Sequence, residues 1–87
     1  MAYKVSILPA ALRQLADLPR ADRRRISHKI DRLAVDPRPS GVKCLQGKRE
    51  YLRLRTGDYR IIYTVDDGRL EILIIKIGHR REVYRAL

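Results

Sequence analysis

Hydrophobic and polar positions along the chain change period several times, and each change marks an element. Tyr3-Lys4-Val5-Ser6-Ile7-Leu8 is a short β-rich run, and it predicts a first strand that stops at Pro9, a residue suited to the first turn of a helix. From Ala10 the apolar residues Ala11, Leu12, Leu15, Ala16 and Leu18 recur at helical spacing up to Pro19, with Arg13, Gln14 and Asp17 on the other face. A second helix is predicted from about Arg20, with Ile26, Ile30, Leu33 and Ala34 as its core stripe. It ends near Val35, because Asp36-Pro37-Arg38-Pro39-Ser40-Gly41 is dense in breakers. The two helices form a hairpin around Pro19. After a loop from Asp36 to Gly47 the period falls to two. Tyr51-Leu52-Arg53-Leu54-Arg55 turns through Thr56-Gly57-Asp58 into Tyr59-Arg60-Ile61-Ile62-Tyr63-Thr64-Val65, a β-hairpin. Asp66-Asp67-Gly68 is a further turn, leading into Leu70 to Ile77, which is apolar on both faces and so central in a sheet.

This order, β-α-α-β-β-β with a short C-terminal segment, predicts an α+β fold: a small twisted antiparallel sheet packed against an N-terminal helical hairpin. At 87 residues the chain has room for one domain, residues 1–87, and one modest core. If Leu52, Leu54, Ile61 and Tyr63 face the helices, strand alternation sends Arg53, Arg55 and Arg60 to the opposite, uncovered face. The last strand delivers Gly78-His79-Arg80-Arg81 at its exit, where a glycine is expected to bend the backbone and turn the following side chains toward that face.

Charge sharpens the picture. Twenty Lys and Arg against ten Asp and Glu give +10 at pH 7, and the sequence pI is about 10.5. That excess implies a polyanionic partner, most simply a nucleic acid, or an acidic protein mate. Arginine dominates the cations, and its planar fork binds phosphate or carboxylate bidentately. Cys44 is the single cysteine, so neither an intramolecular disulfide nor a thiolate cluster can be assembled. The start of the sequence shows no secretion signal, and the longest apolar run is far too short to cross a membrane, so a cytoplasmic location is expected.

Candidate chemistry concentrates at Ile77 to Arg85, where His79, Arg80, Arg81, Tyr84 and Arg85 surround Glu82. Such a set can grip a phosphodiester and move its protons. The candidate residues here and on the strands also have plainer readings. Arg60 resembles any solvated outward strand residue, Arg80 and Arg81 resemble edge-strand guards against aggregation, and Tyr84 resembles a residue capping the core. His79 has a side chain that often bonds to backbone, and His28 lies opposite the Ile26/Ile30 stripe and faces solvent. The run Arg20, Arg23, Arg24, Arg25, Lys29 and Arg32 is read as a solvated helix face or a contact for phosphates or carboxylates. No Gly-rich phosphate loop, paired-carboxylate site, His/Cys metal cluster or catalytic serine constellation appears in the sequence.

Several segments in this order and spacing resemble the RelE/ParE superfamily of bacterial and archaeal toxins, in its RelE-like branch of ribosome-dependent mRNA endonucleases. They are the Leu12-to-Leu18 helix ending in Leu-Pro, the Asp36-Pro37-Arg38-Pro39 loop, Lys43-Cys44-Leu45-Gln46-Gly47, the Tyr51-to-Tyr63 hairpin and Gly78-His79-Arg80-Arg81-Glu82-Val83-Tyr84. The resemblance implies the toxin of a type II toxin–antitoxin system that cleaves messenger RNA in the ribosomal A site by 2′-hydroxyl attack, with no metal or other cofactor. It implies as partners an acidic RelB-like antitoxin, the ribosome with its mRNA, and operator DNA only through the antitoxin complex, and it implies no membrane partner. Carried over by position, the catalytic candidates are Arg60, Arg80 and Tyr84, and the RNA-binding candidates are Lys48, Arg53, Arg55, His79 and Arg81. A family lysine falls at Arg53, and because arginine stays protonated, a proton-abstracting role does not transfer to it. Two alternatives remain open at this point: a ParE-like poison of DNA gyrase, and a non-catalytic RNA- or ribosome-binding inhibitor of translation.

Overall fold

The computed structural model describes residues 2–45 and 48–79, with the side chains of all of these but Lys48 and Arg49. The elements are β1 (Lys4–Ile7), α1 (Pro9–Ala16), α2 (Arg20–Leu33), β2 (Lys43–Leu45), β3 (Lys48–Thr56), β4 (Tyr59–Asp66) and β5 (Glu71–His79). The strands form one five-stranded sheet in the order β1-β5-β4-β3-β2. The α+β class expected from the sequence is the observed one.

Local chemistry explains most boundaries. Pro9 opens α1 at its first position, where its missing N–H is no loss. α1 ends at Ala16, short of the apolar pattern that continues to Leu18, because Pro19 cannot extend it. Gly57 turns β3 into β4 with φ +62°, and a Cβ there would meet the Arg25 Nη1 at 3.0 Å. Only glycine takes that conformation without penalty.

The sheet departs from the sequence expectation in two ways. Three of its pairings are antiparallel, but β1 runs parallel to β5 in the register Lys4↔Glu71 to Ile7↔Ile74. Tight turns force antiparallel neighbours, and β1 reaches β5 through no turn at all but across the rest of the chain, so nothing local fixed its direction. Within the segment expected to be loop, Lys43, Cys44 and Leu45 form the edge strand β2, paired to β3. A three-residue strand is too short to show a period.

Both helices lie on one face of the sheet. Ala11 and Leu15 of α1 and Ile26, Ile30 and Leu33 of α2 pack with Leu52, Leu54, Ile61, Tyr63, Ile72, Ile74 and Ile77 in one core. Each large aliphatic side chain buried there contributes on the order of 1.5–3 kcal/mol. The β4–β5 ladder carries a bulge: Ile62 stands opposite Lys76 and Tyr63 opposite Ile74, so Ile75 is the extra residue. The inward set of β5 accordingly runs Ile72, Ile74, then Ile77, with one step of three.

Side chains tie the elements together where backbone pairing stops. β1 follows β5 only as far as Ile74, and beyond it the Ile77 N–H donates to Gln14 Oε1 of α1 at 2.8 Å. Gln14, expected on the polar outer face of its helix, is half-buried and serves β5. The Tyr63 hydroxyl donates to the Pro37 carbonyl at 2.7 Å and so holds the loop after α2. Arg38 grips the Asp67 carboxylate through two donors at 3.1 and 2.9 Å, and the Tyr3 hydroxyl donates to the same carboxylate at 2.7 Å. No helix among the described residues is long and apolar enough to cross a membrane.

Candidate functional site

The face of the sheet turned away from the helices carries two rows of residues in register. Arg55 of β3 stands opposite Arg60 of β4, which stands opposite Gly78 of β5. In the next row Lys43, Arg53, Ile62 and Lys76 follow one another across β2, β3, β4 and β5. Neighbouring strands lie about 4.8 Å apart, so five cationic side chains rise from a patch a few strands wide. Direct opposition of two arginines, Arg55 and Arg60, is unfavourable for the sheet itself. Such a cluster of cations is an arrangement that an anion would relieve.

Arg60 is the most constrained of these cations. It is only 9% exposed, although the sequence expectation placed it on an open face. Its neighbours, one across on β5 and one two residues on along β4, leave it a floor made of Gly78, which has no side chain, and of Ile62, which is 0% exposed yet stands outside the core cluster. The Arg60 Nη1 donates to the Tyr59 carbonyl at 3.3 Å. Its Nε is buried and has no hydrogen-bond partner among the described residues. A buried, permanently charged guanidinium with an unused donor is costly until an acceptor arrives, and a phosphate oxygen is the acceptor whose geometry it matches. Arg55 is exposed, with its Nε 3.5 Å from the Gly57 carbonyl, and is available at the rim.

Of the other residues expected at the site, His79 departs from its expected direction. It stays in register with Tyr59, and the two rings meet edge-on, 6.0 Å apart at 80°. Tyr59 alternates with Arg60, so His79 points toward the helix side at the sheet end. Gly78 remains within the ladder and does not turn His79 toward the arginine face. The Lys48 backbone lies at the start of β3 in register with Leu45. Arg80, Arg81 and Tyr84 lie outside the described residues. The arginines of α2 lie on its solvent side: Arg23, Arg24 and Arg25 are exposed, Arg23 donates to the Ala16 carbonyl at 3.3 Å, and Arg25 approaches Asp22 at 4.0 Å and lies close to Gly57 of the β3–β4 turn. His28 is exposed as expected.

Lys76 was not singled out by the sequence, where it interrupts an apolar run. Its neighbour Gly78 carried the one available signal, since Lys76 and Gly78 share a strand face. Among the described residues no group of His, Cys, Asp and Glu is placed to hold a metal ion.

Comparison with known proteins agrees with this architecture. The family described as the ParE toxin of the type II toxin–antitoxin system parDE matches residues 5–84. The chain is 34% identical to toxin RelE1 of Methanocaldococcus jannaschii, over 98% of both chains. It is 35% identical to toxin RelE of Mycobacterium tuberculosis, over 95% of this chain and 87% of that one. Among solved structures, the toxin in the archaeal RelE–RelB complex from Pyrococcus horikoshii superposes with a TM-score of 0.82 at 34% identity, covering 95% of this chain and 100% of that one. A chain of the RelBE2 toxin–antitoxin complex of Mycobacterium tuberculosis gives 0.80 at 26% identity, covering 92% and 100%. With a family match over nearly the whole sequence and RelE toxins as its relatives, the chain belongs to the RelE/ParE superfamily and is the toxin of a type II toxin–antitoxin system.

Proposed function

We propose that this toxin is a ribosome-dependent endoribonuclease that cuts messenger RNA in the A site and so stops translation, working without a metal ion. The observation that carries the reading is Arg60, a residue only 9% exposed whose Nε is buried without an acceptor among the described residues, at the centre of a cationic sheet face. RNA supplies its own nucleophile. The ribose 2′-oxygen attacks the adjacent phosphorus as its proton leaves, the bond from phosphorus to the 5′-oxygen breaks, and that oxygen takes up a proton. The products are a 2′,3′-cyclic phosphate and a 5′-hydroxyl end. Arg60 neutralises charge growing on the phosphoryl oxygens, the kind of preorganised donor whose removal costs about 10²–10³ in rate. Arg80 adds to that charge, and Tyr84 transfers a proton or stacks on a splayed base. Arg53 and Arg55 hold the strand along the face, and Lys48 and Arg81 are further RNA-binding residues; His79, turned to the helix side with Tyr59, drops out of that set. Residues 1–87 act as one toxin domain in the cytoplasm.

The partner in the resting state is an acidic RelB-like antitoxin that covers the Arg53/Arg55/Arg60 face, and operator DNA is reached only through that complex. Relatives crystallised with RelB support this partner, as does the charge of +10.

The test is reconstituted translation on a defined mRNA with a known A-site codon. Wild-type protein is expected to give a cut in that codon bearing cyclic-phosphate and 5′-hydroxyl ends. A combined Arg60→Ala, Arg80→Ala and Tyr84→Phe protein that cuts as well as wild type would remove the assignment. The ParE description of the matching family favours a second reading, a gyrase poison. Stalled supercoiling with intact translated mRNA would select it.

A further inference from the structure

We infer that Lys76 is a substrate-binding residue of the Arg60 face, its ammonium holding a phosphate of the bound RNA strand beside the one gripped by Arg60; this rests on the endoribonuclease reading. The argument begins with phase. Along β5 the core takes Ile72 and Ile74, and an unbroken strand would send Lys76 the same way, into an apolar interior against Ile61 and Tyr63. It does not go there. The bulge places two residues, Ile75 and Lys76, between the inward Ile74 and the inward Ile77, and Lys76 comes into register with Ile62 on the arginine face. Bulges are a common means of re-aiming one side chain next to a functional site. Here the extra residue has a definite product: it moves a lysine from the core side to the cationic side.

Position then specifies the role. Lys76 is diagonal to Arg60, one row along the sheet, and diagonal neighbours lie about 7–8 Å apart at their backbones. A long ammonium and a long guanidinium rooted at that spacing can each take one of two adjacent phosphates on one strand. Ile62 between Arg53 and Lys76 is fully buried and offers no polar group. The row therefore presents cations on both sides of an apolar floor, the pattern of a groove that tracks a backbone. Lys76 is half-buried, the exposure of a lysine whose stem packs on the sheet while its ammonium stays at the surface, where an anion can reach it.

The experiment measures binding and cutting separately. Affinity of the purified toxin for a fluorescent single-stranded oligoribonucleotide is titrated against NaCl for wild type and for Lys76→Met, Lys76→Arg and Lys29→Gln. Methionine keeps the packed stem and removes the charge, and circular dichroism melts verify the fold. Lys29, exposed on α2, controls for net charge alone. Lys76→Met is expected to bind several-fold more weakly and to lose about 0.7 from the slope of log K against log salt, the share of one phosphate on a single strand. Lys76→Arg is expected to restore both, and Lys29→Gln to change neither. On translating ribosomes Lys76→Met is expected to raise KM and leave kcat within a few-fold. Equal affinity and slope for wild type and Lys76→Met overturn the inference, and so does an equal loss in Lys29→Gln, which would reduce Lys76 to general charge. If wild type leaves mRNA whole while the Lys76→Met slope change persists, the cleavage reading fails and the phosphate contact stands.

Discussion

Arg60 shows at the scale of one residue how a site departs from the rules of its own sheet. A surface strand arginine should be solvated, and a buried one should be paired. Arg60 is buried, its Nε has no acceptor among the described residues, and it faces a second arginine across the ladder. Leaving a buried donor without an acceptor costs roughly 1–3 kcal/mol. Arg60→Met is therefore expected to hold or raise the melting temperature while abolishing RNA end formation, read by calorimetry and by the ribosome assay. A lower melting temperature would assign the guanidinium to the scaffold. Tyr63 is the opposite case, a polar group fully satisfied inside. Burial pushes its phenol up to about 12, with Arg38 opposing the shift. The folded value lies above the ordinary one near 10, so the fold prefers the protonated phenol. That contribution is complete below about pH 10 and is lost as pH rises through 12, because there the native state binds the extra proton. Tyr63→Phe is expected to lose about 1–2 kcal/mol at pH 7 with its bond to Pro37. It should also show a flatter decline than wild type between pH 10 and 12 in urea titrations. Parallel declines would show that Tyr63 titrates alike in both states.

At the scale of elements, the functional half of β5 is the part that β1 does not reach. Residues past Ile74 have β4 on one side and α1 on the other, and Gln14 supplies the acceptor that a strand would have given Ile77. With the packing of Ala11 and Leu15, this bond holds the helix against the strand segment that carries Lys76 and Gly78. Gln14→Leu is expected to lower stability by about 1–3 kcal/mol and to speed amide exchange at Ile77 more than at Ile72, where β1 still pairs. Uniform exchange along β5 would deny Gln14 this local part. Much of the element pattern was legible beforehand. The hairpin Tyr51 to Val65 announces itself by alternation around Thr56-Gly57-Asp58, and the helices by Leu15, Ile26 and Ile30. The β2 strand was not legible, because its partner on β3 and not its own three residues makes it a strand.

At the scale of the whole molecule, the cations are spread over both sides of a body 34 × 28 × 25 Å, with one group on the sheet face and another on the solvent side of α2. Self-repulsion at +10 opposes the compact state, and salt screens it. The isolated toxin is expected to melt at higher temperature as NaCl rises from low ionic strength, while its affinity for RNA falls. A melting temperature that drops with salt would mean that ion pairs outweigh repulsion. The sequence by itself determined the α+β class, the helix and hairpin positions and the common face of Arg53, Arg55 and Arg60, because period and turn chemistry are local and strand alternation is obligatory. Only the tertiary structure decided the parallel seat of β1, the bulge that turns Lys76 outward, the depth of Arg60 and the direction of His79. Each of these depends on which strand lies alongside and in what register, a contact between residues far apart in the chain that no local pattern encodes.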